Sequence, residues 1–174
     1  ARRALQVQRE CEALYSEPRN RREEMGTLSD LLKLAQQRAQ DLNLPYSGAL
    51  TPAEAYQVWQ LAPGARLVDV RTRAEWDWVG RVPNAVEIEW LSYPGNKPNP
   101  AFASQLKREV DPEALVMFLC RSGGRSDKAA RLALQEGYAN VYNVLEGFEG
   151  DLDAEGQRNR IGGWRHAGLP WQQS

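Results

Sequence analysis

The stretch with the most chemical content is Cys120-Arg121-Ser122-Gly123-Gly124-Arg125-Ser126, in which a thiol and two guanidiniums share six residues with two glycines. It follows Leu115-Val116-Met117-Phe118-Leu119, the most apolar strand pattern in the chain, and leads into a helical pattern beginning at Arg125–Ser126. A strand that ends in a Gly-rich turn and a helix N-terminus gathers backbone N–H groups into a site for an anion. A thiol placed there becomes a candidate nucleophile. At an ordinary pKa of about 8.5, only about 3% of a thiol is ionised at pH 7, and the thiolate is the reactive form. The helix dipole alone contributes about 0.3–1 kcal/mol. Converging N–H donors and a nearby Arg must therefore supply the rest. Gly123 and Gly124 are expected to give the backbone the freedom to aim those donors.

Few other residues compete for this role. The chain has 174 residues, with two Cys, one His, 22 Lys+Arg and 23 Asp+Glu, so its formal charge is −1. Three Cys and His side chains fall short of the four ligands of a structural zinc site, and two Cys make no disulfide framework. No metal and no cofactor is expected. His166 lies in a turn-rich segment and is expected to be exposed, while Cys11 reads as an incidental thiol or a resolving one. The balanced charge argues against nucleic acid as a partner. Neither a signal peptide nor an apolar run long enough to span a bilayer appears, so no membrane is expected and the expected location is cytoplasmic.

The elements that would position Cys120 alternate between strand and helix. Strand patterns occur at Arg66–Val70, Ala85–Glu89, Leu115–Leu119 and Val141–Val144. Helix patterns occur from Pro52 to about Leu61, opened by the capping box Thr51–Glu54, at Ala101–Glu109 and at Ser126–Glu136. A Pro-rich loop covers Tyr93–Pro100. This order predicts an α/β domain with a parallel sheet and helices on both faces.

The N-terminal part differs. Residues 1–48 are expected to form a helical extension to a domain at 49–174. Of the first 24 residues, 11 are Arg or Glu. They are expected to be upstream of a native start at Met25 or to lack fixed structure. Val7, Cys11 and Leu14 permit a weak helix stopped by Pro18. A firmer helix, capped by Thr27 or Ser29, presents Leu28, Leu31, Leu32, Ala35, Ala39 and Leu42 on one face.

Four ordered motifs resemble the rhodanese-like sulfurtransferases. Cys120 to Arg125 looks like that family's six-residue active-site loop. Leu67-Val68-Asp69-Val70-Arg71, with Glu75-Trp76, is similar to its Asp-Val-Arg…Glu-aromatic signature. Gly80 to Ala85 corresponds to its Gly-His-Ile-Pro-Gly-Ala element, with Arg81 and Asn84 replacing the His and the second Gly. Trp164 to Pro170 resembles its closing Trp…Gly-Leu-Pro. The likeness spans about Leu50 to Trp171.

The resemblance implies a rhodanese-like domain in which Cys120 takes a sulfane sulfur from a small anionic donor such as thiosulfate. The resulting persulfide would pass that sulfur to a thiol or a carrier protein. It implies that the loop Arg121, Ser122, Gly123, Gly124 and Arg125 binds the persulfide. Arg121 would face the entrance, and Arg125 would brace the loop against Glu75 or Asp69. Asp69, Arg71 and Glu75 are then supporting residues. A non-catalytic persulfide carrier or docking module is the alternative.

A phosphatase of the same fold is more distant. The first Arg able to close the loop is five positions after Cys120, whereas the related phosphatases need six or more. Residues 151–163 look like an insertion, either a mobile loop or a rim that touches the site or a sulfur partner. Phe148 is a further candidate for the pocket wall. Trp76, Trp78, Trp90 and Trp164 read as core or rim aromatics.

Overall fold

A computed structural model describes the backbone of residues 2–174 and the side chains of residues 21–174. Helix α1 (Arg2–Asp41) is followed by strand β1 (Gly48–Leu50), helix α2 (Pro52–Leu61), strand β2 (Arg66–Asp69), helix α3 (Arg73–Trp78) and strand β3 (Val86–Glu87). A short hairpin of β4 (Leu91–Ser92) and β5 (Lys97–Pro98) precedes helix α4 (Phe102–Glu109). The chain ends with strand β6 (Leu115–Leu119), helix α5 (Gly124–Gln135), strand β7 (Asn140–Val144) and an irregular C-terminal segment.

Five strands form one parallel sheet in the order β1-β7-β6-β2-β3. The most apolar strand pattern takes the central place, where both faces are covered: Val116 to Leu119 are all buried. One face packs Val68, Val116 and Phe118 against Phe102 and Leu106 of α4 and Ala129, Ala130 and Ala133 of α5. The other packs Leu50, Leu67, Met117 and Tyr142 against Leu28 and Ala35 of α1 and Ala55 and Val58 of α2. The expected parallel α/β architecture with helices on both faces is the one observed. Among the described residues, no helix is long and apolar enough to cross a membrane.

Several local expectations need correction. Helix α1 is continuous, so Pro18 does not stop it. A proline removes one bond of the helical ladder, and the strong helix formers on either side, Arg, Glu, Gln and Leu, carry the helix past it. Thr27 does not cap a second helix; its hydroxyl donates to the Glu23 carbonyl four residues back, inside α1. Leu42 is exposed because the helix ends at Asp41, and it no longer follows the buried face of Ala35 and Ala39. The Ala85–Glu89 strand shrinks to Val86–Glu87, and the Tyr93–Pro100 loop contains the β4–β5 turn, with a cis bond at Tyr93–Pro94.

One expected feature holds in detail, and one departure from the resembled motif finds its reason. Thr51 and Glu54 form the full capping box at the start of α2. Asn84, standing where the resembled motif has Gly, adopts φ 67°. Asn tolerates that left-handed conformation better than other side chains with a Cβ, which accounts for the replacement.

Candidate active site

Reading along the sheet, the chain adds β3 beside β2 and then crosses back to place β6 on the other side of β2. Such a reversal leaves a crevice at the carboxyl ends of the two strands, where ligands bind in open α/β sheets. Here those ends are Asp69-Val70-Arg71-Thr72 after β2 and Cys120 after β6. The Val70 N–H donates to the Leu119 carbonyl at 2.8 Å, which keeps the two chain ends side by side.

Cys120 is recessed, with 1% of its surface exposed. The Gly123 N–H donates to its Sγ at 3.1 Å, and the Ser126 hydroxyl lies 3.2 Å from the same sulfur. Ser126 is itself fully buried, and its Oγ also donates to the Gly123 carbonyl at 3.1 Å. Gly123 precedes α5 with φ 113°, which only glycine adopts without strain. Gly124, by contrast, is the first residue of the helix, where a Cβ would meet nothing within 4 Å. Of the two glycines expected to shape the loop, only Gly123 is conformationally required.

The loop is held from three sides. Behind it, the Phe148 and Glu149 N–H groups donate to the Cys120 and Arg121 carbonyls at 2.8 and 3.0 Å. Gly147 makes this approach possible: a Cβ there would stand 2.5 Å from the Cys120 and Arg121 carbonyl oxygens, at φ 64°. Toward β7, the Asn143 side-chain amide donates weakly to the Gly123 carbonyl, at 3.4 Å.

Across the crevice, Arg125 forms a two-pronged ion pair with Glu75, both contacts at 2.8 Å. Glu75 is fixed beforehand by its own helix. It closes a capping box with Thr72 at the start of α3, and Thr72 N–H and hydroxyl donate to its Oε2 at 2.8 and 2.9 Å. Burial pushes the Glu75 carboxyl up, but the Arg125 fork and the Thr72 donors outweigh it and hold the pKa at about 2. Burial likewise opposes the Arg125 charge, yet Glu75, with smaller help from Cys120 and Asp69, keeps it above its ordinary value. Of the two expected partners of Arg125, Glu75 is the one in contact.

Asp69 and Arg71 pair with each other instead. Both are fully buried, with Arg71 Nε and Nη2 on the two carboxylate oxygens at 2.7–3.1 Å. Arg71 Nη2 also reaches the Gly80 carbonyl at 2.8 Å, tying the β2 end to the turn after α3. Its Nη1 has no acceptor among the described residues, and its guanidinium carbon lies 4.0 Å from the centre of the Phe148 ring. Phe148 is therefore fully buried beneath the loop, not a wall of the cleft.

The cleft beside the loop encloses about 670 Å³. Arg121 and Arg125 enter it from the loop, Glu75 and Trp78 from α3, and Tyr93 from the β4–β5 turn. Trp78 is 80% exposed, unlike Trp76 and Trp164, which are core residues. Arg158, within the 151–163 segment, also lines it. His166 is exposed, as expected, and the side chain of Cys11 lies outside the described residues. Sequence reasoning missed Ser126 at the sulfur, Gly147 and Tyr93, whereas Trp78, read as a core or rim aromatic, stands at the rim of the cleft. The serine directly after Arg125 and the Glu146-Gly147 turn after β7 were the available signals.

One recessed thiol at the end of the central parallel strand, met by an N–H from the turn into the next helix, defines an α/β domain with a cysteine loop. The chain belongs to the Rhodanese-like domain family, whose profile matches residues 53–154. It is 39% identical over 122 residues to an uncharacterized protein of Rickettsia conorii, covering 68% of this chain and 92% of that one. A crystal structure of Rv0390 from M. tuberculosis aligns with a TM-score of 0.69 and 43% identity, over 74% of this chain and 99% of that chain. A tRNA uridine(34) hydroxylase of Chlamydia felis is 34% identical over 57% of this chain, but only 28% of its own length is covered.

Proposed function

We propose that the protein is a sulfurtransferase that carries sulfane sulfur as a persulfide on Cys120. The observation that carries this reading is the donor arrangement at the sulfur. The Gly123 N–H donates to Sγ at the start of α5, the Ser126 hydroxyl lies against the same sulfur, and Arg125 is pinned close by. That setting favours an anionic sulfur, which both the attacking thiolate and the persulfide are. Membership of the rhodanese-like family supports the same class of chemistry.

In the first half-reaction the Cys120 thiolate attacks the outer sulfur of thiosulfate. A Cys–S bond to that sulfur forms, the donor S–S bond breaks, and sulfite leaves with the electron pair. The persulfide keeps one negative charge. Its outer sulfur stands about 2 Å beyond Sγ, which carries the reactive atom outward from a thiol that is itself recessed. In the second half-reaction an acceptor thiolate attacks this outer sulfur. The new S–S bond forms as the Cys120 bond breaks, and Cys120 leaves as thiolate. The two steps balance without any further oxidant or reductant. Arg121, exposed at the cleft and without a carboxylate partner among the described residues, supplies the attraction for the anionic donor.

Turnover distinguishes an enzyme from a carrier. Steady-state transfer from thiosulfate to cyanide or a thiol is expected to run for many cycles and to vanish in Cys120→Ala. A stoichiometric burst without further cycles would overturn the enzymatic reading.

A further inference from the structure

We infer that Arg158, in the 151–163 segment, is a specificity-determining residue that selects an anionic organic thiol as sulfur acceptor. The inference rests on the sulfurtransferase reading and adds the acceptor's chemistry to it.

The segment is tied into a defined arch. The Asp153 carboxylate accepts from the Glu155 and Gln157 N–H groups at 3.0 and 2.8 Å. The Asn159 N–H donates to the Glu149 carbonyl at 2.7 Å, and Arg165 holds the Asn159 side chain at 2.9 Å. At the far end, the Gly163 N–H donates to the Glu146 carboxylate at 3.1 Å. Glu146, Glu149 and Gly150 belong to the turn that seats the Cys120 loop, so the arch and the loop share one foundation. Arg158 Nη1 donates to the Gly150 carbonyl at 2.7 Å, which anchors the side chain through one nitrogen. Its other nitrogens have no acceptor among the described residues.

The charges around the cleft then do not cancel. Glu75 is taken by Arg125, and Glu149 faces Arg165 at 3.9 Å. Arg121 and Arg158 are left as two cationic groups on one cleft, with no carboxylate partner among the described residues. The remaining wall is mostly apolar or aromatic, from Ala74, Trp78, Val79, Leu91 and Tyr93, with Thr72 and Asn96 as its uncharged polar members. At about 670 Å³ the space suits an organic molecule of peptide or nucleotide size, whereas thiosulfate has only five heavy atoms. The occupant that fits is a thiol with an extended body for the aromatic wall and a carboxylate or phosphate for the Arg158 fork. Bound this way, the anion is held at Arg158 while the thiolate meets the outer sulfur of the Cys120 persulfide.

Glutathione and its diethyl ester provide the test, since they share a thiol and a body but differ in carboxylate charge. With thiosulfate as donor, the intact enzyme is expected to show a KM for glutathione about tenfold below that for the diester. Arg158→Gln is expected to raise the glutathione KM about tenfold while leaving the diester KM and both kcat values within twofold. Arg158→Lys restores part of the difference. Equal use of the two thiols by the unmodified protein, or an equal KM change for both in Arg158→Gln, would overturn the assignment of Arg158. Persulfide on Cys120 is measured by mass in the same samples. If it forms while the thiol preference is absent, the inference about Arg158 fails and the sulfurtransferase reading stands. If it never forms, the sulfurtransferase reading itself fails.

Discussion

Two arginine–carboxylate pairs support the Cys120 region, and they differ in depth and reach. Asp69–Arg71 is fully buried and local, two residues apart at the end of β2. Glu75–Arg125 is about one-fifth exposed and joins residues 50 positions apart, α3 to α5, across the mouth of the crevice. Their chemistry is the same, yet the deep pair fixes where a strand ends and the shallow pair fixes the shape of the loop. Burial decides this. A buried charge that loses its partner has no water to turn to, whereas a half-buried one does. The deep pair is therefore a condition of folding, and the shallow pair is free to be tuned for function.

The largest effect expected from this contrast is on stability. Removing one member of the deep pair, in Arg71→Met or Asp69→Asn, is expected to cost about 3–5 kcal/mol in denaturant unfolding. Replacing both together, in Asp69→Leu/Arg71→Met, is expected to recover more than half of that loss. If the double variant is as unstable as the singles, the deep pair has a role beyond mutual neutralisation. Next comes Gly147→Ala, which forces a Cβ onto the Cys120 and Arg121 carbonyls at a positive φ. A loss of about 2–4 kcal/mol is expected by the same measurement, accompanied by slower persulfide formation. A neutral outcome would mean that the turn after β7 does not seat the loop.

The shallow pair has a smaller and pH-dependent signature. The Glu75 carboxyl ionises at about 2 in the folded protein and at about 4.5 when unfolded. Its depressed value therefore contributes stability that is fully present above about pH 4.5 and is lost as the pH falls toward 2. The contribution is at most about 3 kcal/mol. Glu75→Gln is expected to lose roughly 1–3 kcal/mol at pH 7 and to flatten that acid limb. It should also slow persulfide formation about tenfold. An unchanged acid limb would show that Arg125 does not stabilise the carboxylate.

The smallest structural effect is expected at Arg121→Ala. The side chain is exposed and has no carboxylate partner among the described residues, so stability should stay within about 0.5 kcal/mol. The KM for thiosulfate should rise severalfold. An unchanged KM would remove Arg121 from donor binding.

Much of this arrangement is legible in the residues. The order of strand and helix patterns gives the parallel sheet, and the apolar run 115–119 gives the central strand with Cys120 at its end. What stays hidden is short or non-local. Helix α3 has six residues, too few to show a helical period, although Thr72–Glu75 repeats the capping spacing of Thr51–Glu54. Strand β1 is three residues long and earns its place only by pairing with β7, nearly a hundred positions away. The choice of Glu75 over Asp69 as the Arg125 partner is likewise tertiary. It depends on Asp69 being engaged already by Arg71. Arg158 looks like one more charge in a polar segment until the fold returns it to the cleft.

The central claim is that Cys120 carries sulfane sulfur. It is tested most directly by the mass of the purified protein after incubation with thiosulfate and removal of excess donor. One added sulfur atom is expected, located on the peptide containing Cys120 and released by a thiol. An unchanged mass, or a sulfur found on Cys11 instead, would contradict the account.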